Sequence, residues 1–108
     1  MSRFAPLPEV PYYAVVFSNQ ASQSPDGYAD MAAKMNDIAK TMPGYLGIES
    51  TRDVDGFAIT VSYWRDEEAI KGWRNHAKHQ IAQEIGRERW YEHFALRVAK
   101  VERHYEGP

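Results

Sequence analysis

The sequence predicts an α+β fold in which a four-stranded antiparallel sheet carries two helices on one face. Three observations predict it. Strand-like and helix-like stretches alternate in the order β-α-β-β-α-β along the 108 residues. Two stretches place apolar residues at spacings of three and four, each entered through capping residues and left at a glycine. The longest apolar run, Tyr12-Tyr13-Ala14-Val15-Val16-Phe17, is six residues of mostly aromatic and β-branched type, the length and composition of a strand covered on both faces.

The first strand is entered from Pro11 and leaves through Ser18-Asn19-Gln20. Ser24 or Asp26, around Pro25, then offers a side-chain oxygen to the free amides of a helix start. Tyr28, Met31, Met35, Ile38 and Met42 form the apolar stripe of that helix, read as core because methionine fills irregular gaps between helix and sheet. Pro43-Gly44 stops it. Tyr45 to Arg52 alternates weakly, Asp53-Val54-Asp55-Gly56 is a turn, and Phe57 to Trp64 is the returning strand of a hairpin. Asp66, followed by Glu67 and Glu68, caps a second helix whose stripe is Ile70, Trp73, Ala77, Ile81 and Ile85, with a bend near Asn75-His76 and an end at Gly86. A last strand begins at Tyr91 or Phe94 and runs to Tyr105, with Phe94, Leu96 and Val98 on one face and Ala95, Arg97 and Ala99 on the other.

This order is the split βαβ, ferredoxin-like arrangement, with both helices on one face of the sheet. Sheets open to water alternate apolar with polar residues, and the first strand does not, so a second copy of the chain is expected over the open face.

Composition bounds the rest. The size is that of one domain, taken as 1–108 with an ordered core of about 12–105. Apolar residues at 44% and charged residues at 26% describe a globular chain. A net charge of −2 supplies no field for nucleic acid. The absence of cysteine removes disulfides, thiolate nucleophiles and zinc ribbons. No apolar run is long enough for a membrane span or a signal peptide, and a cytoplasmic location is expected.

Three blocks carry a family resemblance: Pro43-Gly44-Tyr45-Leu46-Gly47-Ile48-Glu49-Ser50, then Val61-Ser62-Tyr63-Trp64-Arg65-Asp66-Glu67-Glu68-Ala69-Ile70 with Trp73 and His79, then Ala82 through Tyr91. They resemble the antibiotic biosynthesis monooxygenase superfamily across nearly the whole of Tyr12 to Tyr105. The resemblance implies a dimeric α+β barrel with a pocket in each subunit between sheet and helices. It implies two chemistries. Some relatives oxidise aromatic, quinol or polyketide-like substrates with dioxygen and no metal or flavin, the substrate anion supplying the electron; others bind haem and open its ring. The haem degraders carry an Asn within the first strand and a His beyond the helix Trp. Here that strand is apolar up to Asn19 at its end, and Gln83 stands at the position of the His.

On this basis Trp73, His79 and Tyr63 are the candidate catalytic residues. Trp73 matches a pocket position of the relatives, His79 matches a histidine near the pocket mouth that can act as a base, and Tyr63 offers a hydroxyl for a phenolic substrate. Tyr13, Trp64, His76 and Tyr91 are the candidate substrate-binding residues. Tyr13 and Tyr63 are favoured among the tyrosines because the first and third strands are expected to be central neighbours. His76 and His79 at helical spacing lack a third ligand, so no metal site is expected. Arg87 and Arg89 read as a solvated turn. The functional expectation is a cofactor-independent monooxygenase for a small aromatic molecule. Haem binding is one alternative, and a non-catalytic dimer binding a small apolar ligand is the other.

Overall fold

A computed structural model describes residues 3–21, 28–84 and 91–108, and their side chains except at 28–32, 34, 78–84 and 91–92. Its elements are β1 (Tyr12–Ala21), α1 (Tyr28–Ala39), β2 (Tyr45–Arg52), β3 (Phe57–Trp64), α2 (Glu67–Glu84) and β4 (Tyr91–Val101). They form one antiparallel sheet of four strands in the order β2-β3-β1-β4, so β1 and β3 are the central neighbours.

β1 is longer than its apolar run. It continues through Ser18-Asn19-Gln20 to Ala21, with Asn19 opposite Ala58 on β3 and Phe94 on β4. The polar residues stay in the strand because their side chains find uses there. Gln20 donates to the carbonyl of Asp55 at 2.7 Å, and the side chain of Asn19 is turned inward.

The hairpin between β2 and β3 is built as its sequence predicts. Asp53 Oδ1 accepts from the backbone N–H of Asp55 at 2.9 Å and of Phe57 at 3.0 Å. Gly56 takes φ of +89°, a conformation side chains disfavour. On β2 a register shift between Tyr45 and Gly47 explains the weak alternation of this strand, since the irregularity lets Tyr45 and Ile48 share one face.

α2 is capped by Asp66, whose Oδ1 accepts from the N–H of Ala69 at 2.8 Å. That bond, aided by Arg65, holds the Asp66 carboxyl below the usual range. α2 is a single helix through Asn75-His76. The cap candidates Ser24 and Asp26, the helix end at Gly86 and the turn carrying Arg87 and Arg89 lie outside the described residues.

The core sits between the sheet and the helices around Trp64, which has 0% exposure. Val15, Ala39 and Ile70 are buried with it, and Tyr13, Met42, Tyr45, Ala69 and Trp73 pack around them. The Trp64 indole donates to Ser62 Oγ at 2.8 Å, stacks on Trp73 at 6.1 Å and 19°, and meets the edge of Tyr45 at 5.7 Å and 83°. A buried indole N–H without a partner is costly, and the serine two residues earlier on the same strand face supplies one.

The other face of the sheet is covered in part by the chain itself. The segment before β1 lies against β2: Ala5 N–H donates to Glu49 Oε2 at 2.9 Å, and a Cβ on Gly47 would stand 2.9 Å from Ala5 Cβ. Tyr63 donates to Glu49 Oε1 at 2.7 Å, Tyr12 meets the Tyr63 ring edge-on, and the Tyr12 hydroxyl bonds His104 Nδ1 at 2.8 Å. Tyr12 and Ala14 are therefore buried within a single chain. Farther along this face Phe57 and Ile59 remain 44% and 39% exposed.

Two predictions follow from these contacts. Gly44 holds φ of +83°, and a Cβ there would fall 2.5 Å from Ala69 Cβ at the start of α2. Gly44→Ala should lower stability by at least roughly 1–2 kcal/mol, the cost of left-handed backbone alone, read as a fall in the urea midpoint; an unchanged midpoint would contradict the packing. Burial, then the hydrogen bond to Glu49 and its charge, then Tyr12, push Tyr63 up to about 12. Between the ordinary tyrosine value of about 10 and that of Tyr63, the folded chain keeps a proton that the unfolded chain releases. The stabilisation is thus complete below the ordinary value and is lost as pH rises through the folded one. Alkaline absorbance titration of wild type against Tyr63→Phe should show a late tyrosinate, and Glu49→Gln should bring its ionisation to lower pH.

Candidate functional site

The cavity between sheet and helices is floored by the helix-facing residues of the sheet, which stand in rows fixed by strand register. The closed end is the row Tyr13, Trp64 and Tyr45. Next come Val15, Ser62 and Ile48, then Leu96, Phe17, Thr60 and Ser50, and at the far end Asn19, Ala58 and Arg52. From the second row outward these strand positions, except Ala58, line a cavity of about 220 Å³. Met35, Asn36 and Ala39 of α1 and Trp73 and Ala77 of α2 complete the described wall.

The wall mixes apolar and polar groups. Its inner row is Val15, Ser62 and Ile48, with Trp73 of α2 also in the wall; the outer rows carry Phe17 and Leu96 beside Thr60, Ser50, Asn19 and Arg52. Two of its polar residues are deeply buried, Asn19 at 3% exposure and Ser62 at 7%. Arg52 is exposed at the rim and donates to the carbonyl of Gly56 at 3.1 Å. Pockets for drug-sized ligands usually measure about 300–1,000 Å³, so this one suits a smaller molecule.

Of the residues singled out from sequence, Trp73 lies in the wall, half-buried, with the Trp64 ring at 6.1 Å and 19° and the His76 ring at 6.5 Å and 30°. His76 is exposed on α2 and reaches the cavity only through its contact with Trp73. Tyr63 is placed elsewhere. Alternation along β3 turns it to the opposite face from Ser62 and Trp64, where Glu49 holds its hydroxyl. Tyr13 faces the helices but packs in the core cluster beside Trp64, outside the cavity wall. Trp64 is enclosed on all sides and forms the floor behind the cavity, with no surface left for a ligand. The side chains of His79, in α2, and Tyr91, at the start of β4, lie outside the described residues.

The methionine stripe divides: Met42 packs in the core while Met35 lines the cavity. Asn19 also changes its meaning. It lies inside β1, and it lines the same cavity as Trp73. Asn19, Ser62, Thr60 and Ser50 are wall residues that the sequence does not place among the candidates. The usable signal was on β3, where the face that carries Trp64 otherwise holds Ala58, Thr60 and Ser62. Small and polar residues on a helix-facing strand leave room where a core would be filled.

Among the described residues no group of three or more His, Asp or Glu is placed to hold a metal ion. Among the described lining residues there is no histidine or tyrosine to ligate a haem iron, and the side chain of His79 lies outside the described residues.

Comparison with known proteins agrees with this architecture. The antibiotic biosynthesis monooxygenase family model matches residues 11–85. YqjZ of Bacillus subtilis is 50% identical over 103 residues, covering 95% of this chain and 90% of its own. Jasmonate monooxygenase ABM of Pyricularia oryzae is 33% identical over 92 residues, covering 82% of this chain but 43% of its own length. Among solved structures, the heme-degrader MhuD of Mycobacterium tuberculosis superposes with a TM-score of 0.62 at 18% identity, covering 87% of this chain and 99% of its own, a likeness of fold alone. With the family model spanning most of the chain and a full-length relative at half identity, the chain belongs to the antibiotic biosynthesis monooxygenase family.

Proposed function

We propose that the chain is a cofactor-independent monooxygenase that oxidises a small aromatic, quinol or polyketide-like molecule with dioxygen in the cavity between its sheet and helices. The observation that carries this reading is the cavity itself: apolar side chains and the Trp73 ring share its wall with polar groups held at fixed rows, Ser62 among them. Its dimensions suit one small ring system, and the name of the fungal relative, a jasmonate monooxygenase, accords with oxygenation of a small molecule.

In this reaction the substrate is both the electron source and the site of oxygen insertion. An activated ring methylene loses a proton, the carbanion reduces dioxygen, and a carbon–oxygen bond forms. The second oxygen leaves as water with the two hydrogens that the carbon carried, so a carbonyl replaces the methylene and no external reductant is needed. The protein then has to orient the ring, favour its anion and exclude bulk water. Trp73 serves the first task by contact from the cavity wall, and His79 the second by accepting the proton.

The proposed working form is a homodimer. Phe94, Leu96 and Val98 on β4 are 54%, 48% and 51% exposed, and Phe57 and Ile59 lie open on the other face. A single chain leaves this apolar surface in water, and a second copy would bury it. No helix among the described residues is long and apolar enough to cross a membrane.

Oxygen consumption with a panel of hydroquinones and anthrones tests the activity. Trp73→Ala and His79→Ala should each slow the best substrate by about tenfold or more, in the range that misplacement of a bound reactant costs; unchanged rates in both variants would sink the site. Titration with haem should leave the Soret band at its free position, and a saturable shift would favour the haem-binding reading instead. Sedimentation equilibrium should give twice the chain mass, with Ile59→Arg moving the population toward monomer. A wild-type monomer at every concentration would remove the dimer.

A further inference from the structure

The hydroxyl of Ser62 is only half used by the fold. Its oxygen accepts the Trp64 indole N–H at 2.8 Å in a buried bond, and a serine hydroxyl also carries one proton to donate. Among the described residues nothing accepts that proton. Ser62 is 7% exposed, and the small surface it keeps lies in the cavity wall. Accepting the indole N–H polarises the O–H and makes it a better donor. The result is a preorganised donor at the inner end of the cavity, between Val15 and Ile48 in its own row and with Trp73 also in the wall.

The rest of the wall says which acceptor suits it. Among the described lining residues there is no carboxylate, and the single charged side chain is the cationic Arg52 at the rim. Asn19 adds a second buried polar group on the floor toward that rim. An anionic oxygen meets a donor and a distant cation here, and no described negative charge opposes it.

We infer that Ser62 is a positioning residue, donating a hydrogen bond to the oxygen of a small ring compound bound as its phenolate or enolate, with the ring against Trp73, Val15 and Ile48. The inference rests on the oxygenase reading for its purpose, since a substrate that reduces dioxygen must react as its anion. The recognition itself is independent of turnover. Ser62 aims the oxyanion and favours the ionised form, and the indole of Trp64 fixes the rotamer of Ser62 from behind.

Binding of para-nitrophenol and of para-nitrotoluene, which share a ring and differ in the oxygen, tests this by tryptophan fluorescence at a pH where the free phenol is ionised. Wild type should bind the phenolate about ten- to a hundredfold more tightly, the range spanned by a hydrogen bond to a charged group, with the visible band of the phenolate displaced from its position in water. Ser62→Ala should bind the two alike and leave the band unshifted, and Ser62→Thr should restore both signatures. Should Ser62→Ala unfold for want of a partner for Trp64, Ser62→Cys keeps the size and weakens the donor, and should give the same loss. Equal affinities in wild type, or discrimination that survives Ser62→Ala or Ser62→Cys, overturns the inference. Oxygen uptake on hydroquinones without any preference for the phenolate overturns it and leaves the oxygenase reading standing; preference for the phenolate with no oxygen uptake on any substrate does the reverse.

Discussion

The burial of the Trp64 indole is the constraint on which most of this molecule turns. A side chain of that size with no exposed surface requires helix α2 above it, and the stack with Trp73 sets where α2 lies. Its N–H requires a partner, and Ser62 on the same strand face provides it. Because Trp73 and Ser62 both line the cavity, the contacts that satisfy the core residue also shape the site. Removing the indole would cost about 3–5 kcal/mol by cavity formation and would at the same time release both walls.

The sheet supplies the second layer of order. Register between β1, β2 and β3 places the floor residues in rows, aromatic at one end and with apolar and polar residues side by side in the rows beyond it. The two faces carry different tasks. The helix-facing side makes the core and the cavity. The opposite side, with Tyr12, Tyr63, Glu49 and His104, ties the segments before β1 and after β4 to the sheet.

Much of the fold was legible in the sequence because its signals are strong ones. Apolar spacing on the helices, the Asp53 to Gly56 turn and the Asp66 cap each have one local solution, and the structure takes it. The site was less legible for a definite reason. β1 is apolar on both faces, so its pattern does not say which residues meet the helices, and strand phase had to be known before Tyr63 could be separated from Ser62. The polar end of β1 reads as an exit, which sets Asn19 at the strand's end although it lies inside the strand. Trp73 was found because helix spacing places it on the apolar stripe without any knowledge of the sheet. Trp64 stands among the candidate binding residues because size alone does not distinguish a core anchor from a pocket wall.

The strand order carries a consequence for how the chain comes together. β1 leaves the ribosome before both of its partners, β3 and β4, and Tyr12 pairs with Val101, 89 positions later. Until β4 is synthesised, one side of the central strand has an open ladder beside apolar residues such as Val15 and Phe17, an edge of the kind that invites wrong pairings. The sheet therefore closes late, through contacts of very long sequence separation, and such topologies fold slowly. A last strand that is only half-buried in the finished chain is thus the piece that shields the strand at its centre.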